Sequence, residues 1–342
     1  MEAMHLPKKL NERLFPVVSR KQWIDALRAL AILFVILGHQ IHGMPAFFVF
    51  TSPIKIPLFF MITGYVFNDS RLNVRDFFLH LFCTIIVPWF CLTIPFALIK
   101  IPSQGLSALW TTVTELISGE MYWYMPCCVI AEIIWFFIRK YARKEHLTCI
   151  CALALFALGI LAMQLNILNY AMLNRALIML LFILMGFLFR THEDKIDKIK
   201  GVYILLFCAI YILLGCVSLA VWPNETLDVH KNYYYNIPFC FGMMVFGCFT
   251  AFLAARKKNT APAVLCFIGQ NTLVYYLLHG YIITAAEKVF SRLGIGFPDT
   301  LVFAFIRTLI GCVGCWLVSL LLSRFLPEAI GKKRAKKALK KA

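Results

Sequence analysis

The chain has 342 residues, of which 61% are hydrophobic and 15% charged, whereas a soluble domain averages roughly 45–50% apolar and about 25% charged; a soluble globular fold is excluded. A transmembrane β-barrel is excluded as well, because 147–165 and 201–222 are continuously apolar where barrel strands alternate over ~10 residues. The formal net charge of +17, from 34 Lys and Arg against 17 Asp and Glu, is informative through its placement rather than its sum.

Apolar runs of about 20 residues, the length that spans a bilayer, recur at roughly 23–42, 48–67, 77–99, 121–138, 147–165, 174–189, 201–222, 237–255, 262–286 and 300–322. The fold class expected is all-α: a polytopic membrane helical bundle of about ten transmembrane helices. It divides into a basic cytoplasmic segment 1–22, a single transmembrane domain 23–323 and a basic cytoplasmic tail 324–342. No connection approaches the ~50 residues of a separate soluble domain. The first run reads as a retained span rather than a signal peptide, since Asp25 and Arg28 interrupt its start and it exceeds a 7–15-residue h-region.

Basic residues mark cytoplasmic loops. With the N-terminus inside, Lys8 to Lys21, Arg71 and Arg75, Arg139 to Lys144, Arg190 to Lys200, Arg256 to Lys258 and the tail from Arg324 share one face, against Lys100, Arg175, Lys231, Lys288 and Arg292 on the other. The orientation expected is N-in, C-in. A basic tail at Lys332 to Lys341 suits anionic lipid headgroups, and the one-sided excess makes membrane lipids the partner rather than nucleic acid.

The 13 cysteines lie almost all within spans, where Cys acts as a small apolar residue. Cys312-Val-Gly-Cys315 therefore reads as packing rather than redox chemistry, and no metal is expected. His192 to Asp197 has an H-x-x-x-x-D spacing in a short charged turn, read as coincidence. No phosphate-binding glycine loop, nucleophile elbow or zinc spacing occurs.

Ionisable groups inside spans are costly and mark function by default. In the first span Asp25 and Arg28 lie at the cytoplasmic end and His39 eleven residues beyond Arg28, a rise of about 16 Å with both side chains on nearly one face. A cation at the inner mouth and an imidazole deep in the membrane suit a long donor with phosphates at one end and a reactive group at the other, the shape of coenzyme A. The bland account makes Arg28 a positive-inside anchor, Asp25 its i,i+3 partner and His39 an interfacial histidine.

The segment Trp23-Ile-Asp25-Ala-Leu-Arg28 through Gly38-His39 resembles the first helix of the acyltransferase-3 family of integral-membrane acyltransferases, with Arg, ten residues, then His. Pro57-Leu-Phe-Phe-Met-Ile-Thr-Gly64-Tyr65 is similar to that family's second-span P-L-F-F-x-x-S-G-[FY]. Trp123-Tyr124-Met125-Pro126 resembles its W-[FY]-L-P, and Gly269 through Asn271, Thr272, Leu273, Tyr276 and His279 its late G-x-[NS]-[ST]-L-x-x-Y-x-x-H. Four motifs in order cover most of the chain. Two departures stand out: Lys55 occupies a position where many relatives carry His, and Thr63 replaces Ser while keeping the hydroxyl. The hydrolase-like domain that some relatives append is not expected here, and the resemblance then implies a single-component enzyme or a separate extracytoplasmic partner.

The resemblance implies transfer of an acyl group, acetyl above all, from acyl-CoA to a hydroxyl of a carbohydrate or glycolipid, in a bacterial inner membrane. His39 is then the general base, with His279, Glu132 or Tyr276 to orient it, because Asp25 is about 20 Å away along the same helix. Arg28, with Asp25, Arg71 and Arg75, would hold the donor phosphates; Lys55, Trp123, Tyr124, Asn271, Tyr276 and Arg307 would line the substrate site. By topology His39, Lys55, Glu132, His279 and Arg307 converge on a similar depth, which lets polar groups pair inside a bundle. For His279, Trp123 and Tyr124, helix–helix hydrogen bonding and the interfacial aromatic belt are the structural alternatives. A secondary transporter of a polar solute, which also concentrates charge at the midplane, and a membrane acyltransferase with a lipid or peptide acceptor are the rival functions.

Overall fold

The computed structural model describes residues 21–41, 44–68, 73–222 and 237–332; Arg71 and the tail beyond Lys332 lie outside them. In chain order the helices are α1 (Gln22–Gly38), α2 (Pro45–Lys55), α3 (Pro57–Val66), α4 (Val74–Leu81), α5 (Val87–Gln104), α6 (Ser107–Ser118), α7 (Tyr124–Tyr141), α8 (Glu145–Gln164), α9 (Leu173–Thr191), α10 (Glu193–Ile196), α11 (Gly201–Val221), α12 (Ile237–Lys258), α13 (Ala263–Gln270), α14 (Thr272–Arg292) and α15 (Leu301–Phe325). There is no strand among the described residues.

Seven stretches among the described residues are long and apolar enough to cross a membrane: Ala46–Val66, Val74–Ile99, Glu145–Gln164, Tyr170–Thr191, Gly201–Val221, Phe239–Lys258 and Leu301–Phe325. The expected spans at 23–42, 121–138 and 262–286 are helical too. They form the 17-residue α1, the α7 helix with Glu132, Arg139 and Lys140 on it, and the α13–α14 pair interrupted at Asn271.

Prolines account for the breaks within the second and third spans. The second span is two helices because Pro57 has no N–H to continue the hydrogen-bond ladder, so α2 stops at Lys55, Ile56 keeps near-helical angles (φ -91°, ψ -47°), and α3 restarts with Pro57 in its first turn. In the third span a π-helical turn at Phe82–Ile86 joins α4 to α5. Pro88 lies four residues after Thr84, whose carbonyl its ring would strike in a regular helix, and the wider turn absorbs that conflict. Helix α6 falls where the sequence reading had only a connection. Its buried Ala108, Thr112 and Leu116 recur at i, i+4 and i+8, one stripe of an amphipathic helix.

Helices α1, α3, α9 and α14 form the centre. Helix α9 buries most of its length, and α3 lies against it through two glycines: a side chain on Gly64 would strike the Ile183 carbonyl, and one on Gly186 the Met61 carbonyl. Helices α11 and α15 instead turn outward large apolar side chains such as Leu205 (71% exposed) and Leu309 (64%), tolerable only with lipid as solvent. All 13 cysteines are free. Cys312 and Cys315 flank the surface where Gly311 and Gly314 of α15 meet Ile283 and Ile282 of α14, in line with a packing role.

One ion network ties helix ends together on the basic face. Glu193 accepts from Tyr65 Oη (2.7 Å) and Lys21 (3.1 Å) and pairs with Arg256 (2.7 Å), which also grips Asp197 at 2.9 Å. Burial pushes the Glu193 carboxyl up, but these donors outweigh it and hold it below its usual value; the Arg256 hydrogen bond does the same for Asp197. The H-x-x-x-x-D turn is thus structural, with His192 on Glu145 (3.0 Å) and Asp197 on Arg256.

Candidate active site

The chain brings two histidines together across 240 positions. His39 closes α1, its N–H bonded to the Val35 and Ile36 carbonyls, so it sits at the helix end and not within a longer helix to residue 42 as the apolar run suggested. His279 is buried in α14. His39 Nδ1 lies 3.0 Å from His279 Nε2, and His279 Nδ1 lies 2.8 Å from the Tyr275 carbonyl and 3.1 Å from that of Tyr276.

Carbonyl oxygens only accept, which assigns the protons along this line. His279 carries its hydrogen on Nδ1 and donates it to the backbone, so its Nε2 is an acceptor. His39 must then donate from Nδ1, and its Nε2 bears the lone pair. A base oriented by a third group is the arrangement general-base catalysis requires; here backbone carbonyls, acting through His279, stand where a carboxylate often does. His39 is exposed at the helix end while His279 is buried. Lys55 reaches the same end of α1: its Nζ is 3.6 Å from where a Cβ on Gly38 would stand.

Arg28, Glu132, Tyr124 and Tyr276 face a second feature, a cavity of about 710 Å³, within the usual range of ~300–1,000 Å³ for ligand sites. Its wall also includes Thr63, Asn68, His80, Gln270 and Lys332. Asn68, Gln270 and Lys332 belong to helix ends on the basic face, so the cavity runs inward from that face. Arg28 acts electrostatically on Glu132, whose carboxyl also meets Cys128 Sγ at 3.7 Å. Tyr124 and Tyr276 of that wall stand 5.3 Å apart between ring centroids, and Tyr122, 5.8 Å from Tyr276, completes a tyrosine collar beside it. Neither histidine lines the cavity, but His279 is one helical turn beyond Tyr276, a rise of about 4.5 Å.

The remaining expected site residues stand elsewhere. Asp25 is buried against α13, accepting from Gln270 Nε2 at 3.0 Å. Asn271 faces the basic side, where Lys332 donates to it at 2.6 Å. Arg307 pairs with Glu287 (2.7 Å) and donates to the Phe297 carbonyl (2.6 Å) at the far end of α14 and α15. Trp123 stacks under Arg175, 5.1 Å away, and Arg75 lies outside the cavity lining. The sequence reading missed Lys332 as a wall residue, because it took the basic tail as a lipid-facing run; the signal available was Pro327-Glu-Ala-Ile330-Gly331, an apolar turn ahead of it. No group of three metal-binding side chains occurs among the described residues.

A family model described as an acyltransferase domain matches residues 21–321. Comparison with curated proteins found no match, and comparison with solved structures found none. The matched span includes the histidine pair, the tyrosine collar and the Arg28–Glu132 wall, in an all-helical chain with seven membrane-length apolar helices among its described residues, and on that ground the chain belongs to the acyltransferase-3 family and is a multi-pass membrane acyltransferase.

Proposed function

We propose that this enzyme transfers an acetyl group from cytoplasmic acetyl-CoA to a hydroxyl of a carbohydrate or glycolipid, with His39 as general base, in a bacterial inner membrane. The observation that carries the reading is the line from the basic face to the histidine pair: Arg28 in the cavity wall, the tyrosine collar beside the cavity, and His279 one turn further with His39 on its Nε2. Phosphates bind near Arg28 by charge-assisted hydrogen bonds, and the pantetheine arm runs past Tyr276 toward the pair.

At the pair, the acceptor hydroxyl gives its proton to His39 Nε2 as its oxygen bonds to the thioester carbonyl carbon. Collapse breaks the C–S bond, and the departing CoA thiolate takes that proton from His39. Imidazole near neutral pH suits both transfers. The ammonium of Lys55 adds positive charge where the carbonyl oxygen becomes anionic. The exposure of His39 at the end of α1 favours an acceptor arriving from the face opposite the cavity mouth.

The test incubates labelled acetyl-CoA with proteoliposomes of wild type and His39→Ala and counts label in carbohydrate, glycolipid and free acetate. The expected result is glycan or glycolipid labelling by wild type and a loss of roughly 10²–10⁴-fold in the variant. Equal labelling by the variant overturns His39 as base; label in lipid chains or peptide alone overturns the acceptor class. A hydroxylamine-sensitive acetyl group trapped on His39 replaces the base role with a covalent one.

A further inference from the structure

Helix α1 lines two cavities, one on each side. Arg28 and Ile32 look into the cavity described above. Trp23, Ala26, Leu27 and Leu30, on the other side of a 3.6-residue helix, line a groove of about 330 Å³. The facing wall is one stripe of α12, Ala251, Ala254, Ala255 and Lys258, spaced i, i+3, i+4 and i+7. Pro262 and Leu265, at the start of α13, close the third side. Every lining side chain is apolar except Lys258 and Thr260, and these two stand at and just past the end of α12 on the basic face. From that end the groove follows Trp23 to Leu30 and Lys258 to Ala251 inward, a rise of roughly 10 Å along each helix.

Two of the lining residues, Leu30 and Ala254, are exposed, so the groove is open to lipid along its side. Its mouth is cationic. Lys258 is exposed, and no carboxylate among the described residues pairs with it. Arg256, two residues earlier, is by contrast engaged with both Glu193 and Asp197. Lys257 is exposed too but reaches toward α11, its Nζ 3.6 Å from where a Cβ on Gly201 would stand, and it is not part of the groove. An apolar slot that starts under an ammonium and runs into the bilayer has the polarity of a phospholipid, phosphate outermost and chain inward. Basic pockets between spans on the cytoplasmic side are sites where anionic headgroups gather.

We infer that the groove between α1, α12 and α13 binds an anionic phospholipid, with one acyl chain lying past Leu30 and Ala254 and the phosphate on Lys258. The lipid packs against the back of the helix whose other side carries Arg28. The site is separate from the cavity and the histidine pair, and it holds whichever acyl group and acceptor the enzyme uses.

The experiment reconstitutes wild type, Lys258→Gln, Lys257→Gln and Ala254→Phe in phosphatidylcholine vesicles. These carry a trace of phosphatidylglycerol, or of phosphatidylcholine, with the same diazirine in one acyl chain; after irradiation the labelled peptides are quantified. In wild type, phosphatidylglycerol is expected to label 23–30 and 251–265 about fivefold more than phosphatidylcholine does, the preference that one lysine near an anionic headgroup supplies. Lys258→Gln removes the preference and Lys257→Gln keeps it. Ala254→Phe, which fills the groove from an exposed position, removes label from these segments with either lipid. Label on the outward face of α15 stays at the wild-type level and reports that each variant is folded in the bilayer. Equal labelling of the groove by both lipids in wild type overturns the inference, since any chain then fills it. So does a fall with Lys257→Gln as large as that with Lys258→Gln, which assigns the preference to the diffuse charge of the face, and so does full groove label in Ala254→Phe. If a variant loses the α15 label as well, competition on wild type decides. Unlabelled phosphatidylglycerol should then suppress groove label at about one-fifth the concentration that phosphatidylcholine needs, and equal suppression overturns the inference.

Discussion

At the scale of single residues, the histidine pair makes a sharper statement than a lone intramembrane imidazole. The Arg28–His39 spacing and the Tyr276-x-x-His279 pattern put both histidines on a short roster of candidates. Their contact joins α1 to α14 and has no signature in either segment. The hydrogen bonds of His279 to the Tyr275 and Tyr276 carbonyls fix which nitrogen of His39 is basic, so His279 acts through His39. His279→Ala should lower kcat by about tenfold, the value of one ordinary hydrogen bond of ~1–1.5 kcal/mol. His279→Gln, whose amide oxygen can accept from His39 Nδ1–H, should recover most of it. The double variant with His39→Ala should be no slower than His39→Ala alone, because groups that act as a unit are not additive. A double variant slower by the product of the two single losses would show His279 working independently of His39. Glu132 illustrates a different case: it lines the cavity with Arg28, which acts on it electrostatically, a neighbour that sequence depth did not name, since depth says nothing of which side of a helix faces which neighbour.

At the scale of helices, motif glycines gain a physical reason. Gly64 entered through a family resemblance alone; in the structure it and Gly186 let the α3 and α9 backbones touch at the Ile183 and Met61 carbonyls. Close approach of small residues is a main source of helix association where lipid tails are as apolar as leucine. Gly64→Ala should therefore force the two helices apart and cost about 1–3 kcal/mol, as overpacked cores do. At Gly280, in the middle of α14, an added methyl would meet nothing within 4 Å. Gly280→Ala should be harmless or stabilising by up to about 1 kcal/mol through helix propensity. Thermal unfolding in detergent, read by a thiol-reactive dye on the newly exposed cysteines, separates the two. Matching midpoints for Gly64→Ala and wild type would mean that the α3–α9 contact is looser than described. Break points were less legible than cores. Pro57 and Pro88 are visible in the sequence, yet both sit inside apolar runs that read as continuous, and α6 was missed because its stripe of Ala108, Thr112 and Leu116 is too polar to stand out.

At the scale of the whole molecule, the class was legible because no soluble fold carries such an apolar excess, and the site's lateral arrangement was not, because nothing in a span's composition names its neighbours. Charge placement speaks to a third property, orientation. The cavity's outer wall is built from the start of α1, the end of α3, the start of α4, the start of α14 and the segment after α15, all ends that the basic-residue bias assigns to one face. That agreement ties function to topology: a donor made in the cytoplasm reaches the cavity only if this face is the inner one. N-in, C-in orientation then predicts that green fluorescent protein fused after Ala342 fluoresces, while alkaline phosphatase at the same point is inactive. Alkaline phosphatase inserted within 223–236, between α11 and α12, should in contrast be active. The reverse pattern would place the cavity mouth outside the cell, where acyl-CoA is not supplied, and would overturn the donor route even with the histidine chemistry intact. An active phosphatase at both positions would mean an even number of crossings between them, and the segment that then fails to span would be α13–α14, the one interrupted at Asn271.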